Sequence, residues 1–322
     1  MKRAIVRFGI IGSFAVLMTA CASSTKQVDS LLTHPHEYSE TKEISGVPFI
    51  KQESGLCGPA TLAMAMNWAG RNISANEVAP LVYTPDAKGT YQTDMISAAR
   101  REGFTAIPIQ GFDALLTEVS SGHPVIVFEN LALSWLPQWH YAIVYGYDLK
   151  KEIVILHSGP HKAKQWDLRK FERSWKLGDY WGLVVLPSDE LARSASELDH
   201  AQAAATLELL GRHEEATNAF QAILRRWPTS LPGLIGMGNW AFNAKNYVDA
   251  VGYLQIATKA HPTSAAAWHN LAIAETEARM TNSARVSAAR AVETASPETR
   301  NRYEESLRTL LQQSAIEPGV VQ

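Results

Sequence analysis

Cysteine is scarce in this chain: Cys21 and Cys57 are the only two in 322 residues. No Cys-x-x-Cys pair exists, no His-Glu-x-x-His, and no glycine loop of the phosphate-cradling kind, so metal and nucleotide chemistry have no support and no cofactor is called for. An excess of one charge is also missing. Thirty Lys and Arg stand against 32 Asp and Glu, a formal net charge of −2, and nothing points to nucleic acid. Long apolar runs are absent too. The N-terminal run, Phe8 to Met18, is about a dozen residues, whereas a membrane-spanning helix needs roughly twenty. What is present is a 46% apolar composition, ample for real cores, in a chain longer than the usual single domain of roughly 100 to 200 residues. Two globular parts are expected.

The short run follows a basic segment, Met1-Lys2-Arg3 through Arg7, and ends in Leu17-Met18-Thr19-Ala20-Cys21. That pattern reads as a secretory signal peptide over residues 1–20 and resembles the lipobox of bacterial lipoproteins. The resemblance implies that Cys21 becomes the lipidated first residue and the membrane contact. The absence of Asp at position 22 is compatible with outer-membrane sorting, facing the periplasm. Residues 21–46, rich in Ser, Thr and charged side chains, read as a flexible tether between lipid and domain. Cys57 is then a lone thiol in an oxidising compartment, where cysteines usually pair.

Its setting is Gln52-Glu53-Ser54-Gly55-Leu56-Cys57-Gly58-Pro59-Ala60, which places the thiol at the start of an expected helix. Uncapped N–H groups and the positive end of the helix dipole would lower the thiol pKa. The Cys57 N–H and the Gln52 amide could hold the oxygen that becomes negative when a carbonyl is attacked. A base is needed, and His140, opening the strand-like run Trp139-His140-Tyr141-Ala142-Ile143-Val144-Tyr145-Gly146-Tyr147, is the best placed. His157 and His161 stand as alternatives, while Asp148, in Asp-Leu-Lys-Lys between two apolar runs, reads as a hairpin turn. Trp135, Trp139 and Tyr141 beside His140 either line a cleft or pack. The segment Lys88-Gly89-Thr90-Tyr91-Gln92 is assigned no chemistry.

Gln-x4-Cys-Gly-Pro-Ala before an apolar helix, joined to a histidine heading an apolar strand that ends in Gly-Tyr-Asp, resembles the double-glycine-leader peptidases and their stand-alone relatives among the papain-like cysteine peptidases. The resemblance covers about residues 47 to 187. It implies a helical half carrying the thiol, a strand-rich half carrying the base, and a third residue on the strand after the histidine strand. There this chain reads Ile153-Val154-Ile155-Leu156-His157-Ser158-Gly159-Pro160 in place of the family's aspartate. Ser158, His157 or the more distant Asp167 would have to orient the imidazole.

Beyond residue 190 alanine dominates and a period appears. Ala216, Ala250 and Ala284 are 34 residues apart, as are Phe220, Leu254 and Ala288, and Pro228 and Pro262. That is the tetratricopeptide spacing, whose helix pairs stack into a grooved solenoid that recruits peptides or proteins. Residues 299 to 313, with Tyr303, Leu307, Leu310 and Leu311 on one face, read as a capping helix. Trp240, Asn243, Trp268 and Asn270 are expected along the groove.

The expected architecture is thus an α+β papain-like peptidase domain over 47–187, followed by an all-α tetratricopeptide-repeat solenoid of three repeats plus cap over 197–313. The expected function is that of a cell-envelope lipoprotein peptidase that hydrolyses peptide bonds, with its repeats binding a substrate or partner protein. Cys57, His140, Gln52 and Ser158 form its candidate site. The alternatives are a catalytically silent scaffold and amidase or transglutaminase-like chemistry on the same residues.

Overall fold

Strands covered on both faces need apolar side chains at nearly every position, and the apolar runs 124–128, 141–147, 153–156 and 181–186 form the centre of a sheet. The structure is a computed structural model that describes residues 25–34, 38–52 and 55–316. Cys21 and the signal segment lie outside the described residues. The strands are β1 (Thr41–Glu43), β2 (Tyr83–Thr84), β3 (Gly89–Thr90), β4 (Thr105–Gln110), β5 (Val125–Asn130), β6 (Trp139–Asp148), β7 (Ile153–Ser158), β8 (His161–Asp167) and β9 (Trp181–Leu186). The helices are α1 (Lys26–Thr33), α2 (Cys57–Trp68), α3 (Ala75–Val82), α4 (Gln92–Arg101), α5 (Gly111–Ser121), α6 (Leu168–Lys176), α7 (Glu197–Leu209), α8 (His213–Arg226), α9 (Leu231–Asn243), α10 (Tyr247–Ala260), α11 (Ala265–Glu277), α12 (Thr281–Thr294) and α13 (Pro297–Ile316).

The main sheet runs β4-β9-β5-β6-β7-β8, all antiparallel, with β1 added beside the second half of β6. On one face α2, α3 and α4 bury Leu62, Met64, Val78 and Met95 against Ile126, Tyr141 and Ile143. On the other, α1, α5 and α6 bury Val28, Phe112, Phe171 and Trp175 against Val127, Ala142 and Val144. Between Val144 and Gly146 the β6–β7 register shifts. A side chain at Gly146 would meet the Lys42 carbonyl oxygen at 2.9 Å, so glycine is what lets β1 approach there. Asp148 ends β6 and accepts the Lys151 N–H at 3.0 Å, a turn as expected.

The tether reading needs correction. Residues 26–33 form α1, whose first turn directs the N–H groups of Gln27 and Val28 onto the buried Glu172 carboxylate at 3.1 and 3.0 Å. Residues 41–43 are β1. Neither element shows in its own pattern, because each is held by a partner distant in sequence. The edge strand β8 escapes a hydrophobic reading for a different reason: it pairs with its chain neighbour β7, but its mostly polar residues face solvent.

In the C-terminal half the helix pairs α7–α8, α9–α10 and α11–α12 start 34 residues apart, at 197, 231 and 265. Ser196, Ser230 and Ser264, on the same spacing, each cap the first helix of a pair by accepting a first-turn N–H. Gly211, Lys245 and Arg279 all take left-handed φ values, 75°, 59° and 60°, in the turn inside each pair. Ala216, Ala250 and Ala284 are buried where the paired helices touch, and Gly236 lies so close to Phe220 that a Cβ would sit 2.6 Å from its ring. This is a tetratricopeptide-like solenoid. The proposed groove residues do not share one surface, however. Trp240 and Asn243 line one depression with His213 and Phe220, whereas Trp268 bonds the Pro262 carbonyl oxygen and lines another with Val286. Two residues apart on a helix point about 200° apart, and Asn270 accordingly reaches Asn239 instead.

The two halves are fastened together. Arg212 Nε donates to the Arg101 carbonyl oxygen at 2.7 Å, and Ala192, Ala195 and Ala203 join the core of α5 and α6. Glu118, fully buried on α5, accepts the Ser194 N–H and hydroxyl, both at 2.6 Å, and pairs with His123 at 2.7 Å. Ending the chain at Pro187 strips two bonds from this carboxylate. The fragment is expected to be less stable than the full chain by at least about 2 kcal/mol, since a buried charged acceptor loses its donors. Circular dichroism melting of both checks it, and an unchanged midpoint would show that the junction contributes nothing.

Candidate active site

Cys57 is the first residue of α2, and the preceding Leu56 offers no side-chain cap, which leaves first-turn N–H groups free to face the sulfur. Gly58 is needed beside it. A Cβ there would lie 2.5 Å from Thr90 Oγ1, so glycine allows the β2–β3 hairpin to close against the helix start. Gly58→Ala is expected to cost about 1–3 kcal/mol by overpacking; a melting curve superposable on wild type would show that Thr90 yields freely.

The thiol is half-buried, and burial raises its pKa above the ordinary value. Hydrogen bonds from the N–H groups of Tyr141, Gly58 and Cys57 itself pull the other way without offsetting it. The expected thiolate-stabilising environment is therefore corrected: desolvation outweighs the helix terminus, because the sulfur sits against an apolar helix and sheet. His140 stands on β6, its Nε2 3.0 Å from Ser158 Oγ at the end of β7. The β6–β7 register pairs Ala142 with Ser158 and so brings that hydroxyl next to the imidazole. Burial, and secondarily the Lys164 ammonium, push the imidazole pKa down to about 4. Both thiol and imidazole rest neutral at pH 7. Among the described residues, His140 hydrogen-bonds to Ser158 and not to Cys57.

Gln52 is buried in the cleft wall, and its amide is engaged. Nε2 donates to Thr61 Oγ1 at 2.9 Å and to the Tyr141 carbonyl oxygen at 3.4 Å, while Oε1 accepts the Gly159 N–H at 2.9 Å. It ties α2, β6 and the turn after β7 together, and any contact with a developing oxyanion requires that amide to turn. A cleft of about 930 Å³ collects Gln52, Cys57, His140 and Ser158, with Thr90, Phe128, Trp139 and Lys164 among its other walls.

The alternatives separate clearly. His157 is buried and bonds Val47 O and the Ala163 N–H, away from the imidazole of His140. Asp167 caps α6 through the Lys170 N–H and pairs with Ile153 at the far end of β7. His161 is exposed at the cleft rim. Trp139 stacks on Phe128 with ring centroids 4.9 Å apart, so this aromatic both packs and lines the cleft, whereas Trp135 is 77% exposed. The hairpin around Lys88 and Thr90, given no chemistry from sequence, is a cleft wall. Lys164 is a further cleft wall that the sequence does not announce, since a lysine on a polar strand carries no local motif. Among the described residues no group of three or more His, Cys, Asp or Glu is placed to hold a metal ion, and no helix is long and apolar enough to cross a membrane.

Residues 44–180 match the Peptidase_C39 like family. The C39-like domain thus contains Gln52, Cys57, His140 and Ser158 within the matched span. Among solved structures the chain is similar to a C39-like peptidase from Bacillus anthracis, with 19% identity, a TM-score of 0.41, and 48% of this chain and 100% of that one covered. It is also similar to the peptidase domain of Streptococcus ComA, a bifunctional ABC transporter involved in quorum sensing (24% identity, TM-score 0.38, covering 44% and 99%). The first TPR of Spaghetti (RPAP3), bound to an HSP90 peptide, aligns at 15% identity and a TM-score of 0.34 over 37% of this chain and 93% of that one. No curated protein matches the chain in sequence.

Proposed function

We propose that the C39-like domain is a cysteine peptidase that cleaves peptide or isopeptide bonds by acyl transfer, and that the repeats bring it a protein substrate or partner. The observation carrying this reading is the meeting, in one cleft, of a thiol at a helix start with an imidazole held by Ser158. His140 takes the thiol proton as Cys57 attacks the carbonyl carbon. The oxyanion is met by the Cys57 N–H, and by Gln52 once its amide leaves Thr61. The leaving amine takes the proton from His140, and water then releases the acyl group from sulfur. Because both groups rest neutral, proton transfer accompanies attack instead of preceding it.

A second reading, a silent scaffold that binds peptides, is favoured by the engaged Gln52 amide and the missing thiol–imidazole bond. Alkylation separates the two. Free Cys57 is expected to react with iodoacetamide more slowly than free cysteine at pH 7, with a rate that keeps rising into more alkaline solution, because its thiol pKa is raised. Peptide turnover that iodoacetamide abolishes in step with Cys57 modification supports the peptidase; modification with no turnover at any pH supports the scaffold. The same proposal places the protein in the bacterial cell envelope, at the outer membrane and facing the periplasm, anchored through lipid on Cys21. Its test is loss of radiolabelled palmitate incorporation in Cys21→Ser.

A further inference from the structure

A base in a desolvated cleft becomes a cation when it takes a proton, and here a second cation, Lys164, lies near it. Ser158 supplies only a neutral hydroxyl. The β5–β6 ladder sets Glu129 directly opposite His140. Directly paired residues of an antiparallel ladder project on one face, with Cβ atoms about 4.5–5.5 Å apart. Glu129 is 0% exposed. Its Oε2 accepts the Ser174 hydroxyl of α6 at 2.9 Å, and its Oε1 has no hydrogen-bond partner. A buried carboxylate oxygen left open is costly and calls for an explanation.

We infer that Glu129 is the positioning and charge partner of His140, a buried carboxylate whose open oxygen supports the imidazolium during turnover. The inference deepens the peptidase reading and rests on it for its catalytic meaning. Among the described residues the other groups around the pair are Ser174 from α6, Lys164 from β8, Ser158 from β7 and, across the cleft, the Cys57 thiol of α2. Burial pushes the Glu129 carboxyl up to about 7, with the Ser174 bond and the Lys164 charge opposing. The carboxylate is therefore present above that pH and absent below it. Thiol attack passes a proton from sulfur to His140 and none to Glu129, whose charge stays fixed while the imidazole alternates between neutral and cationic.

The alternative is a purely structural glutamate that fastens α6 through Ser174. The full-length protein, labelled with 13C-histidine, decides between them. The His140 Cε1 resonance, identified by its loss in His140→Gln, is expected to show a step near pH 7 that reports Glu129 ionisation. The step should disappear in Glu129→Gln, which keeps an acceptor for Ser174, and persist in Ser174→Ala at a higher pH, because that change removes both the fastening and a bond that holds the carboxyl pKa down. Turnover at pH 8 should fall about tenfold or more in Glu129→Gln, with its acid limb near pH 7 gone. A step that survives in Glu129→Gln, or an unchanged pH profile, overturns the inference. If Glu129→Gln does not fold, Lys164→Gln serves: losing the ammonium should move the step to higher pH, and an unmoved step overturns the inference. A wild-type protein that shows the step yet cleaves no peptide fails the peptidase reading and leaves the coupling standing.

Discussion

Cys57→Ala is expected to abolish peptide turnover, by at least about a thousandfold, while the fold melts near the wild-type temperature. Removing a covalent nucleophile leaves only what the remaining cleft can do with water, and such losses are among the largest single-residue effects in catalysis. The structural cost is small because the sulfur makes few contacts that alanine lacks: its bonds are from backbone N–H groups, and α2 is held by Leu62, Met64 and Met66. Cys21 becomes blocked if it is lipidated, so a single accessible thiol remains and the variant should also lose all maleimide labelling. Turnover that persists in the alanine variant would end the cysteine-peptidase reading, whatever its fold.

His140→Ala should follow closely, with turnover down about a hundredfold to ten-thousandfold, the range a general base contributes. Ser158→Ala should cost only about twofold to tenfold, because a neutral hydrogen bond is worth about 0.5–1.5 kcal/mol. The ratio of the two losses is the informative quantity. Comparable losses would mean that the serine does more than orient the ring, and a larger loss at Asp167, which caps α6 away from the cleft, would overturn the placement of the imidazole partner. The pH dependence has a definite sign. An imidazole with pKa near 4 is already the free base above about pH 5, so an acid limb nearer neutrality cannot come from His140. It has to come from another group, and Glu129 is placed opposite.

Local chemistry made part of this protein legible in its sequence. Gly70 and Gly103, which take left-handed φ values just past α2 and α4, the apolar runs of β5, β6, β7 and β9, and the Asp148 turn all act within a few residues of themselves. The 34-residue recurrence of small residues is likewise repeated so often that packing reinforces it. Even the serine caps at 196, 230 and 264 sit on that spacing. Tertiary structure alone decided the rest. Ser158 rather than Asp167 meets His140 because antiparallel register, not chain distance, selects neighbours, and one residue of slip would turn every side chain to the other face. The sign of the Cys57 shift depended on how much apolar surface closes over the sulfur, a quantity a helix start does not contain. Segments 26–33 and 41–43 are ordered by Glu172 and by β6, each about a hundred residues or more away. Glu129 is a glutamate in an apolar strand until that strand is laid against His140, because the open oxygen and the opposing imidazole are properties of the sheet and not of either segment.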